Sequence, residues 1–233
     1  MMGISCICPT FGRANLLEEA IESFLRQDYP GEKELVILND APWQKLKIDE
    51  IENVKLYNLS ERCKNMGSKW NVLVGLAKHN TLIPWPNDDI MLPWSISRLV
   101  ELLGDQGYVH PKGHFGATNK VLRGYSHHGC QGIIAFTRDA WQKTGGYPKQ
   151  YGGQDTAFLK ELRRHFKYNE PQLTKDNVFF IYRWAGIPLH LSGTKTDETW
   201  DKLAERIQAN YPEPVYHLKP HWNMDYVEGI ANV

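Results

Sequence analysis

Apolar positions in the first half of the chain alternate between short continuous runs and runs with helical spacing. The run GISCICPT ends at Pro9, and in the next segment, ANLLEEAIESFLRQ, the residues Leu17, Ile21 and Phe24 recur on one helical face. This alternation predicts a parallel sheet covered by helices. Further strands are predicted at KELVILND, NVKLYNL and NTLIPWP. Further helices are predicted at MGSKWNVLVGLAKHN, ending near His79 and Asn80, and at PWSISRLVELLG, from Pro93 to Gly104.

The second half has a less regular pattern. A strand and a short helix are predicted at GCQGIIAFTRDAWQKTGGY, and a further helix at GGQDTAFLKELRRHF, with Asp155 at or near its N-cap. A strand is predicted at VFFIYRW and an amphipathic helix at ETWDKLAERIQANY, whereas an irregular tail is predicted after Pro212. We expect a single domain over residues 1–233, with halves at 1–104 and 105–195 and a C-terminal helix and tail at 196–233.

Composition and charge narrow the class of protein. Of the 233 residues, 42% are hydrophobic and 23% are charged, which is typical of a packed globular core. Lys plus Arg and Asp plus Glu both total 27, a balance that argues against a dedicated nucleic-acid-binding protein. The sequence has no signal-peptide pattern and no apolar run of about 20 residues that could span a bilayer, so we expect a cytoplasmic protein.

The four cysteines are interpreted as core residues. Cys6 and Cys8 are separated by one residue in an apolar run, so in a strand their side chains point to the same face. This spacing differs from the two-residue gap of a zinc knuckle, and the low cysteine content argues against a disulfide framework. Because free cysteine is among the most buried residue types, burial is predicted for Cys6, Cys8, Cys63 and Cys130.

Polar residues follow three of the predicted strands. These strand ends are Pro9-Thr10, Asn39-Asp40 and Asn87-Asp88-Asp89. In open α/β sheets, ligands bind at the carboxyl ends of the strands, so we expect these residues to meet at one edge of the sheet. The sequence therefore predicts a nucleotide site at that edge.

Five segments in succession carry a resemblance to a known family. They are CICPTFGRANLLEEAIESFLRQ, ELVILNDAP, NMGSKWNVLVGLA, WPNDDIMLP and GGYPKQYGGQD. In this order they resemble the family 2 glycosyltransferases of the GT-A fold, from about Ile4 to about Arg164. The resemblance implies an α/β fold with a Rossmann-like, mostly parallel central sheet flanked by helices and an irregular acceptor side. It also implies a nucleoside-diphosphate-sugar donor, here expected to be a UDP-sugar, and a glycan or other hydroxyl acceptor.

The resemblance assigns contacts with the nucleotide sugar to eight positions. They are Pro9, Thr10, Arg13, Asp40, Asn65, Gly67, Asn71 and Asp88. Asp40 corresponds to the acidic position that contacts the base or ribose in relatives, although one member of the usual pair of acids is here Asn39. Trp70 stands where relatives commonly have an Arg before the second Asn of the motif.

Asp88 and Asp89 correspond to the acidic metal motif of the family. A divalent cation, Mn²⁺ or Mg²⁺, would bridge these carboxylates and the donor diphosphate and cancel their mutual repulsion. Relatives often have a further acid where this chain has Pro86, and His190 is the candidate for a third ligand. A plain alternative stays open: an Asp-Asp turn before the helix that starts near Pro93, with His190 as a loop residue.

Asp155 corresponds to the catalytic base of inverting family members. It ends the stretch GGYPKQYGGQD, with Gln154 where Glu is commoner. A carboxylate beside an acceptor hydroxyl can accelerate its attack by roughly 10²–10⁴-fold. Attack from the opposite face then inverts the anomeric centre. An N-cap role for Asp155 is compatible with this function.

The segment YSHHGCQG brings His127, His128 and Cys130 together in sequence. Zinc binding is one interpretation, but a structural zinc site has four ligands and no second pair follows nearby. The alternatives are a loop that contacts the acceptor or the diphosphate, and plain surface histidines.

Taken together, these patterns predict an inverting, metal-dependent glycosyltransferase. One rival is a sugar-phosphate nucleotidyltransferase, whose Gly-rich, Arg-containing loop after the first strand is not supplied by CPTFGRANLL. The other is a non-catalytic carbohydrate- or nucleotide-binding protein, which the departures at Trp70, Pro86 and Gln154 leave open. Release of a nucleoside diphosphate separates an enzyme from a binding protein.

Overall fold

The computed structural model describes residues 1–118, 121–130, 132–150, 152–183 and 200–233. The strands are β1 (Ile4–Thr10), β2 (Lys33–Asn39), β3 (Lys45–Ile48), β4 (Val54–Asn58), β5 (Thr81–Pro84), β6 (Ile90–Met91), β7 (Tyr108–Val109), β8 (Lys112–Thr118), β9 (Val121–Gly129), β10 (Ala135–Thr137), β11 (Phe180–Arg183) and β12 (Val215–Leu218). The helices are α1 (Ala14–Leu25), α2 (Met66–Leu76), α3 (Ser95–Leu103), α4 (Arg138–Lys143), α5 (Gln154–His165), α6 (Trp200–Asn210) and α7 (Tyr226–Ala231). Within the described ranges, no helix has the length and apolar character needed to cross a membrane.

A six-stranded sheet forms the centre of the fold, in the order β4-β2-β1-β5-β10-β7. The strands β4, β2, β1 and β5 run parallel, whereas β10 is antiparallel to both of its neighbours. The predicted α/β fold with a mostly parallel central sheet flanked by helices is confirmed. The expected boundary at residue 195 lies outside the described residues, and the division of the chain into functional halves stays a prediction.

The central strand β1 is buried on both faces because a helical layer covers each of them. Cys6 and Cys8 belong to the core that also contains Ile21 of α1. Ile7 belongs to the core that also contains Leu73 of α2. All seven residues of β1 are buried. A continuous apolar run is therefore what this position in the sheet requires.

A second sheet, in the order β6-β11-β8-β9, occupies part of the region that the sequence pattern leaves irregular. Its strands β8 and β9 form an antiparallel hairpin with shifts of register. The prediction of an irregular tail after Pro212 is wrong, because β12 pairs in parallel with β3 and α7 follows it. The two strands of this pair are far apart in the sequence, so no local pattern reveals the pairing.

Helix α2 ends before the predicted end near His79 and Asn80. The backbone leaves the helical conformation at Ala77, where φ is −69° and ψ is 136°. The next amide donates to Glu34 Oε1 (2.5 Å), and the amide of His79 donates to Ser5 Oγ (2.9 Å). Side chains of β1 and β2 thus bind the N–H groups that a longer helix would use internally.

Helix α5 has Gly153 as its N-cap, so Asp155 lies near the N-cap, as predicted, but is not the capping residue. Gly153 adopts a left-handed conformation, with φ 68° and ψ 13°, which glycine reaches at little cost. Asp155 lies in the first turn instead, and its Oδ1 accepts a hydrogen bond from the adjacent N–H of Thr156 (2.8 Å). The carboxylate is therefore not used to cap the helix.

Candidate functional site

A cavity of about 530 Å³ opens at the carboxyl ends of β1 and β5. Five residues predicted from the sequence line it: Pro9, Arg13, Asp88, Asp89 and Asp155. Residues of α2, the second sheet and the start of α5 complete its wall. Residues predicted to bind the donor thus share one cavity with the predicted catalytic base.

Thr10 lies where the three polar strand ends meet. Its hydroxyl accepts a hydrogen bond from Asn87 Nδ2 (2.9 Å). Its carbonyl oxygen accepts from the backbone N–H of Asp40 (3.4 Å) and from Lys69 Nζ (2.5 Å). The strand ends therefore converge at one edge of the sheet, as their positions in the sequence predict.

Arg13 contacts the acidic loop from one side. It donates from Nη1 to Asp88 Oδ2 (2.8 Å) and from Nη2 to Asn87 Oδ1 (2.6 Å). Only 4% of the Arg13 side chain and 14% of the Asp88 side chain are exposed. Because little water screens this pair, the charge-assisted bond holds the loop firmly.

Arg183, at the end of β11, contacts the same loop from another direction. Its backbone N–H donates to Asp89 Oδ1 (2.9 Å), and its Nε donates to the carbonyl oxygen of Asp88. Its Nη1 donates to the buried Glu19 (2.7 Å), which also accepts from the hydroxyl of Tyr226 in α7 (2.5 Å). Arg183 was not predicted as a site residue, although it lies in the predicted strand VFFIYRW, because burial of an arginine depends on partners that are distant in the chain.

The acidic pair fits a divalent cation. Carboxylate oxygens are the ligands that Mg²⁺ and Mn²⁺ prefer, and Asp88 and Asp89 both line the larger cavity. Burial and the charge of Asp88 raise the pKa of Asp89, whereas Arg183 and Arg13 lower it, as a cation would. No cluster of three His, Cys, Asp or Glu ligands is present among the residues that the structure describes. Diphosphate oxygens and water would complete the shell, as is usual for Mg²⁺. The proposed ligand His190 lies outside the described residues.

A smaller cavity of about 60 Å³ lies beside Asp40 and Asn65. Asp40 Oδ1 accepts a hydrogen bond from Lys69 Nζ (2.5 Å), and Oδ2 accepts from the backbone N–H of Cys63 (3.0 Å). Burial lowers the pKa of Lys69, and the charge of Asp40 opposes this effect. The sequence analysis missed Lys69, because lysine on a helix is normally exposed and nothing local marks it as buried.

Cys63 departs from the predicted core position. It is partly exposed, whereas Cys6, Cys8 and Cys130 are buried. Its side chain lines the smaller cavity, and burial and the charge of Asp40 raise its pKa to about 11. The prediction of burial is therefore wrong for this cysteine, which lies in the loop before α2 rather than in a strand.

Asn65, Gly67 and Asn71 join α2 to the loop that precedes α5. Asn65 Oδ1 caps α2 by accepting from the N–H three residues on (2.8 Å), and Asn65 lines the smaller cavity. A Cβ on Gly67 would lie 1.8 Å from the carbonyl oxygen of Pro148. The amide of Asn71 donates to the carbonyl of Tyr147 (2.8 Å) and accepts from its N–H (2.9 Å). Gly67 and Asn71 line neither cavity.

Trp70 gives the larger cavity an aromatic wall. Its ring stacks on Tyr147, with centroids 5.5 Å apart and an interplanar angle of 20°, and both residues line the cavity. Trp70 occupies the position where relatives commonly have an Arg, so an apolar surface replaces a charge there. Aromatic faces of this kind pack well against the C–H surfaces of sugars.

Asp155 faces the larger cavity from the first turn of α5. The N-terminal end of a helix stabilises negative charge, which suits a carboxylate at this position.

His127 and His128 are exposed on β9, whereas Cys130 is buried and lines the larger cavity. The three residues close together in YSHHGCQG therefore differ in their surroundings.

Two solved structures are similar to this chain. One is TarS of S. aureus in complex with UDP, with a TM-score of 0.61 and 15% sequence identity, covering 78% of this chain and 60% of the TarS chain. The other is the mannosyltransferase PcManGT from Pyrobaculum calidifontis in complex with GDP-Man and Mn²⁺, with a TM-score of 0.57 and 14% identity. That similarity covers 90% of this chain and 69% of PcManGT. At these identities the likeness concerns the fold.

Sequence comparison identifies the family. Among curated proteins, no sequence matches this chain significantly. The family model described as glycosyl transferase family 2 matches residues 5–181, which is more than half of the chain. The match spans β1, the strand ends that line the larger cavity, and Asp155. This chain belongs to glycosyl transferase family 2.

Proposed function

We propose that this protein transfers a sugar from a UDP-sugar to an acceptor hydroxyl, with a divalent cation and with inversion at the anomeric carbon. The observation that carries the proposal is the cavity that Asp88, Asp89 and Asp155 line together. Two adjacent acids suit a diphosphate with its cation, and a separate acid on α5 suits an acceptor hydroxyl.

Donor binding is proposed for the strand ends. Asp40 takes the base or ribose, and Arg13 and the acidic loop take the diphosphate region. Mg²⁺ or Mn²⁺ held by Asp88 and Asp89 would neutralise charge on the leaving nucleoside diphosphate. The solved structures give support at the level of the ligand class, because TarS is in complex with UDP and PcManGT with GDP-Man and Mn²⁺.

Asp155 acts as the general base in this proposal. Its carboxylate takes the proton of the acceptor hydroxyl while the hydroxyl oxygen forms a bond to the anomeric carbon. The bond from that carbon to the diphosphate oxygen breaks, and the nucleoside diphosphate leaves with the electron pair. Because the acceptor attacks from the face opposite the leaving group, the configuration inverts. A positioned base contributes roughly 10²–10⁴-fold to such a step.

Nucleoside diphosphate release tests this function. Wild type is incubated with a panel of UDP-sugars and with GDP-mannose, in Mn²⁺ and in chelator, with water or simple sugars as acceptors. We expect release from a UDP-sugar that falls strongly in chelator and in Asp88→Asn, but not in the exposed control Asp105→Asn. Equal release in chelator contradicts metal dependence, and a preference for GDP-mannose contradicts the UDP donor. Nucleotide binding without release supports the non-catalytic alternative.

Two further measurements address the finer parts of the proposal. The product's anomeric configuration, measured by NMR, is expected to be opposite to that of the donor, and retention contradicts the single displacement.

The predicted third ligand is tested by His190→Ala, for which we expect a much weaker activation by Mn²⁺. Unchanged activation removes His190 from the site.

A further inference from the structure

Helix α6 lies against the smaller cavity. Leu203, Ala204 and Ile207 of this helix line it, and Leu203 and Ile207 are 5% and 0% exposed. The family match ends at residue 181, so α6 lies beyond the part of the chain that the family model matches. This helix therefore adds a wall that the family model does not describe.

Phe11 forms another part of the same wall and is packed against α6. Leu203 and Ile207 form an apolar cluster with Phe11 and Trp43. The rings of Phe11 and Trp43 meet edge to face, with centroids 5.0 Å apart. The guanidinium of Arg62 lies 4.8 Å from the centre of the Phe11 ring. One aromatic ring and side chains of α6 thus form one part of the lining, to which the loop before α2 and α2 itself add Arg62, Cys63, Asn65, Met66 and Lys69.

Contacts at both ends hold α6 in this position. Near its start, Asp201 lies 3.6 Å from the guanidinium of Arg62. Just after its end, the carbonyl oxygen of Tyr211 accepts from Trp43 Nε1 (3.3 Å) and from Gln44 Nε2 (3.3 Å). The helix is therefore fixed to the loops that follow β2 and β4.

The polar end of the cavity is the carboxylate of Asp40. Its oxygens already accept from Lys69 and from the backbone of Cys63, but each carboxylate oxygen can accept more than one hydrogen bond. An apolar slot that ends in a carboxylate suits a flat ring with an N–H on its edge. The pyrimidine base of a uridine nucleotide has this character, and aromatic side chains stack on such bases.

The size of the cavity favours a single ring. Its volume is about 60 Å³, against about 530 Å³ for the larger cavity. At roughly 10–15 Å³ per water-sized sphere, it holds on the order of four to six such spheres. A fused purine needs more room in the same plane, and Leu203, Ala204 and Ile207 of α6 line the cavity.

We propose that α6 is the outer wall of the nucleobase site, and that Leu203, Ala204 and Ile207 restrict this site to a single-ring base. The inference rests on the proposed nucleotide-sugar function and adds the element that selects the donor. The selecting residues lie outside the residues that the family model matches.

A pair of matched variants on α6 tests the wall. Ala204 lines the cavity and Ala209 is exposed on the same helix, so Ala204→Leu and Ala209→Leu add the same atoms in different places. Binding of UMP and GMP is measured by calorimetry without metal, after thermal melts show that both variants fold. We expect UMP to bind wild type at least about tenfold more tightly than GMP. Ala204→Leu should weaken UMP binding at least about tenfold, and Ala209→Leu less than about twofold.

Cys63 supplies a second measurement that needs no variant. It is the partly exposed cysteine, so a maleimide should label it in preference to the three buried cysteines. We expect UMP to slow this labelling and GMP at the same concentration to leave it unchanged, as read by mass spectrometry. UMP that binds without protecting Cys63 overturns the placement of the base.

The outcomes separate this inference from the function on which it rests. Equal UMP affinity of the two leucine variants, or equal affinity of wild type for UMP and GMP, overturns the role of α6. Nucleotide release by wild type would still support the transferase. A wild type that neither binds nor releases any nucleotide contradicts both proposals.

Discussion

Asp88 and Asp89 are held by two buried arginines, whereas Asp155 faces the same cavity with a local contact to the next backbone amide. Arg13 pairs with the side chain of Asp88, and Arg183 binds the backbone of Asp88 and the side chain of Asp89. The acids that line one cavity thus have very different surroundings.

This difference suggests separate roles for the acidic pair and for Asp155. A carboxylate pair that is fixed by the guanidinium of Arg13 and by the backbone N–H of Arg183 is preorganised to receive a charged ligand, since little has to move when the ligand binds. A carboxylate that keeps its acceptor capacity suits proton transfer from an incoming hydroxyl. Substitutions of Arg183 and Glu170 remove, in turn, a contact that supports the acidic loop and a contact that anchors the helix with Asp155.

The largest effect is expected from Arg183→Met. The change leaves Glu19 buried without its cationic partner and removes the bond from Nε to the carbonyl oxygen of Asp88, whereas the backbone bond to Asp89 stays. Loss of one partner from a buried pair costs about 3–5 kcal/mol. Urea unfolding measures the loss. The control Arg164→Met removes an exposed pair with Glu161 and should change the free energy of unfolding by less than about 1 kcal/mol. Equal effects of the two changes would mean that Arg183 does not support the acidic loop.

A smaller and pH-dependent effect is expected from Glu170→Gln, on the acceptor side. Glu170 accepts from Arg163 of α5 through Nε (2.6 Å) and Nη2 (2.8 Å), and so anchors the helix that carries Asp155. Burial raises its pKa, but hydrogen bonds from Arg163 and Tyr168 outweigh this and lower it from 4.5 to about 2. We expect a loss of about 1.5–3 kcal/mol at neutral pH.

The sign of this pH dependence follows from the lowered pKa. A carboxylate with a lower pKa in the folded state stabilises the fold above the unfolded pKa of 4.5, and this contribution is lost as the pH falls toward 2. The difference between wild type and Glu170→Gln in urea unfolding should therefore shrink below about pH 4.5. The control Glu161→Gln, in a partly exposed pair with Arg164, should have little effect. A difference that is constant with pH contradicts the ionic role of Glu170.

The smallest effect is expected where α2 contacts the loop that precedes α5. Gly67→Ala places a methyl group 1.8 Å from the carbonyl oxygen of Pro148. Because the clash is with the backbone, overpacking costs the upper end of the range, about 3 kcal/mol, and Ala regains about 1 kcal/mol of helix propensity, so we expect a net loss of about 2 kcal/mol.

A matched glycine in the same helix gives the opposite prediction. Gly75 has no atom within 4 Å of a Cβ placed there, so Gly75→Ala should stabilise the protein by about 0.5–1 kcal/mol. Thermal or urea unfolding compares the two variants. Stabilisation by Gly67→Ala as well would mean that the loop at Pro148 yields freely.

The centre of the six-stranded sheet could be predicted from the sequence because β1 and β2 are buried on both faces. The runs ending at Thr10 and Asn39 are continuous and apolar, and the helices that cover them have regular spacing. The meeting of their polar ends follows from the geometry of parallel sheets. The polar residues at these strand ends can therefore be found from local sequence patterns.

The second sheet, the pairing of β12 and the burial of two charged residues could not be predicted, because they depend on contacts between distant segments. The strands β8 and β9 contain glycine and polar residues without clear alternation, and β12 pairs with β3 from the far end of the chain. The burial of Lys69 and Arg183 is also decided by partners on other elements, Asp40 and Glu19. A pattern of apolar positions does not contain this information, so these charged residues were missed.

The most direct test of Asp155 as the general base compares Asp155→Asn with Asp139→Asn. Both acids lie in the first turn of a helix, but Asp155 lines the larger cavity and Asp139 is exposed, so both changes remove the same favourable interaction with a helix end. Turnover of the UDP-sugar and UDP affinity are measured for each. We expect Asp155→Asn to lose roughly 10²–10⁴-fold in turnover with UDP affinity unchanged, and Asp139→Asn to match wild type. Equal turnover by the two variants would contradict the role of Asp155 as the base.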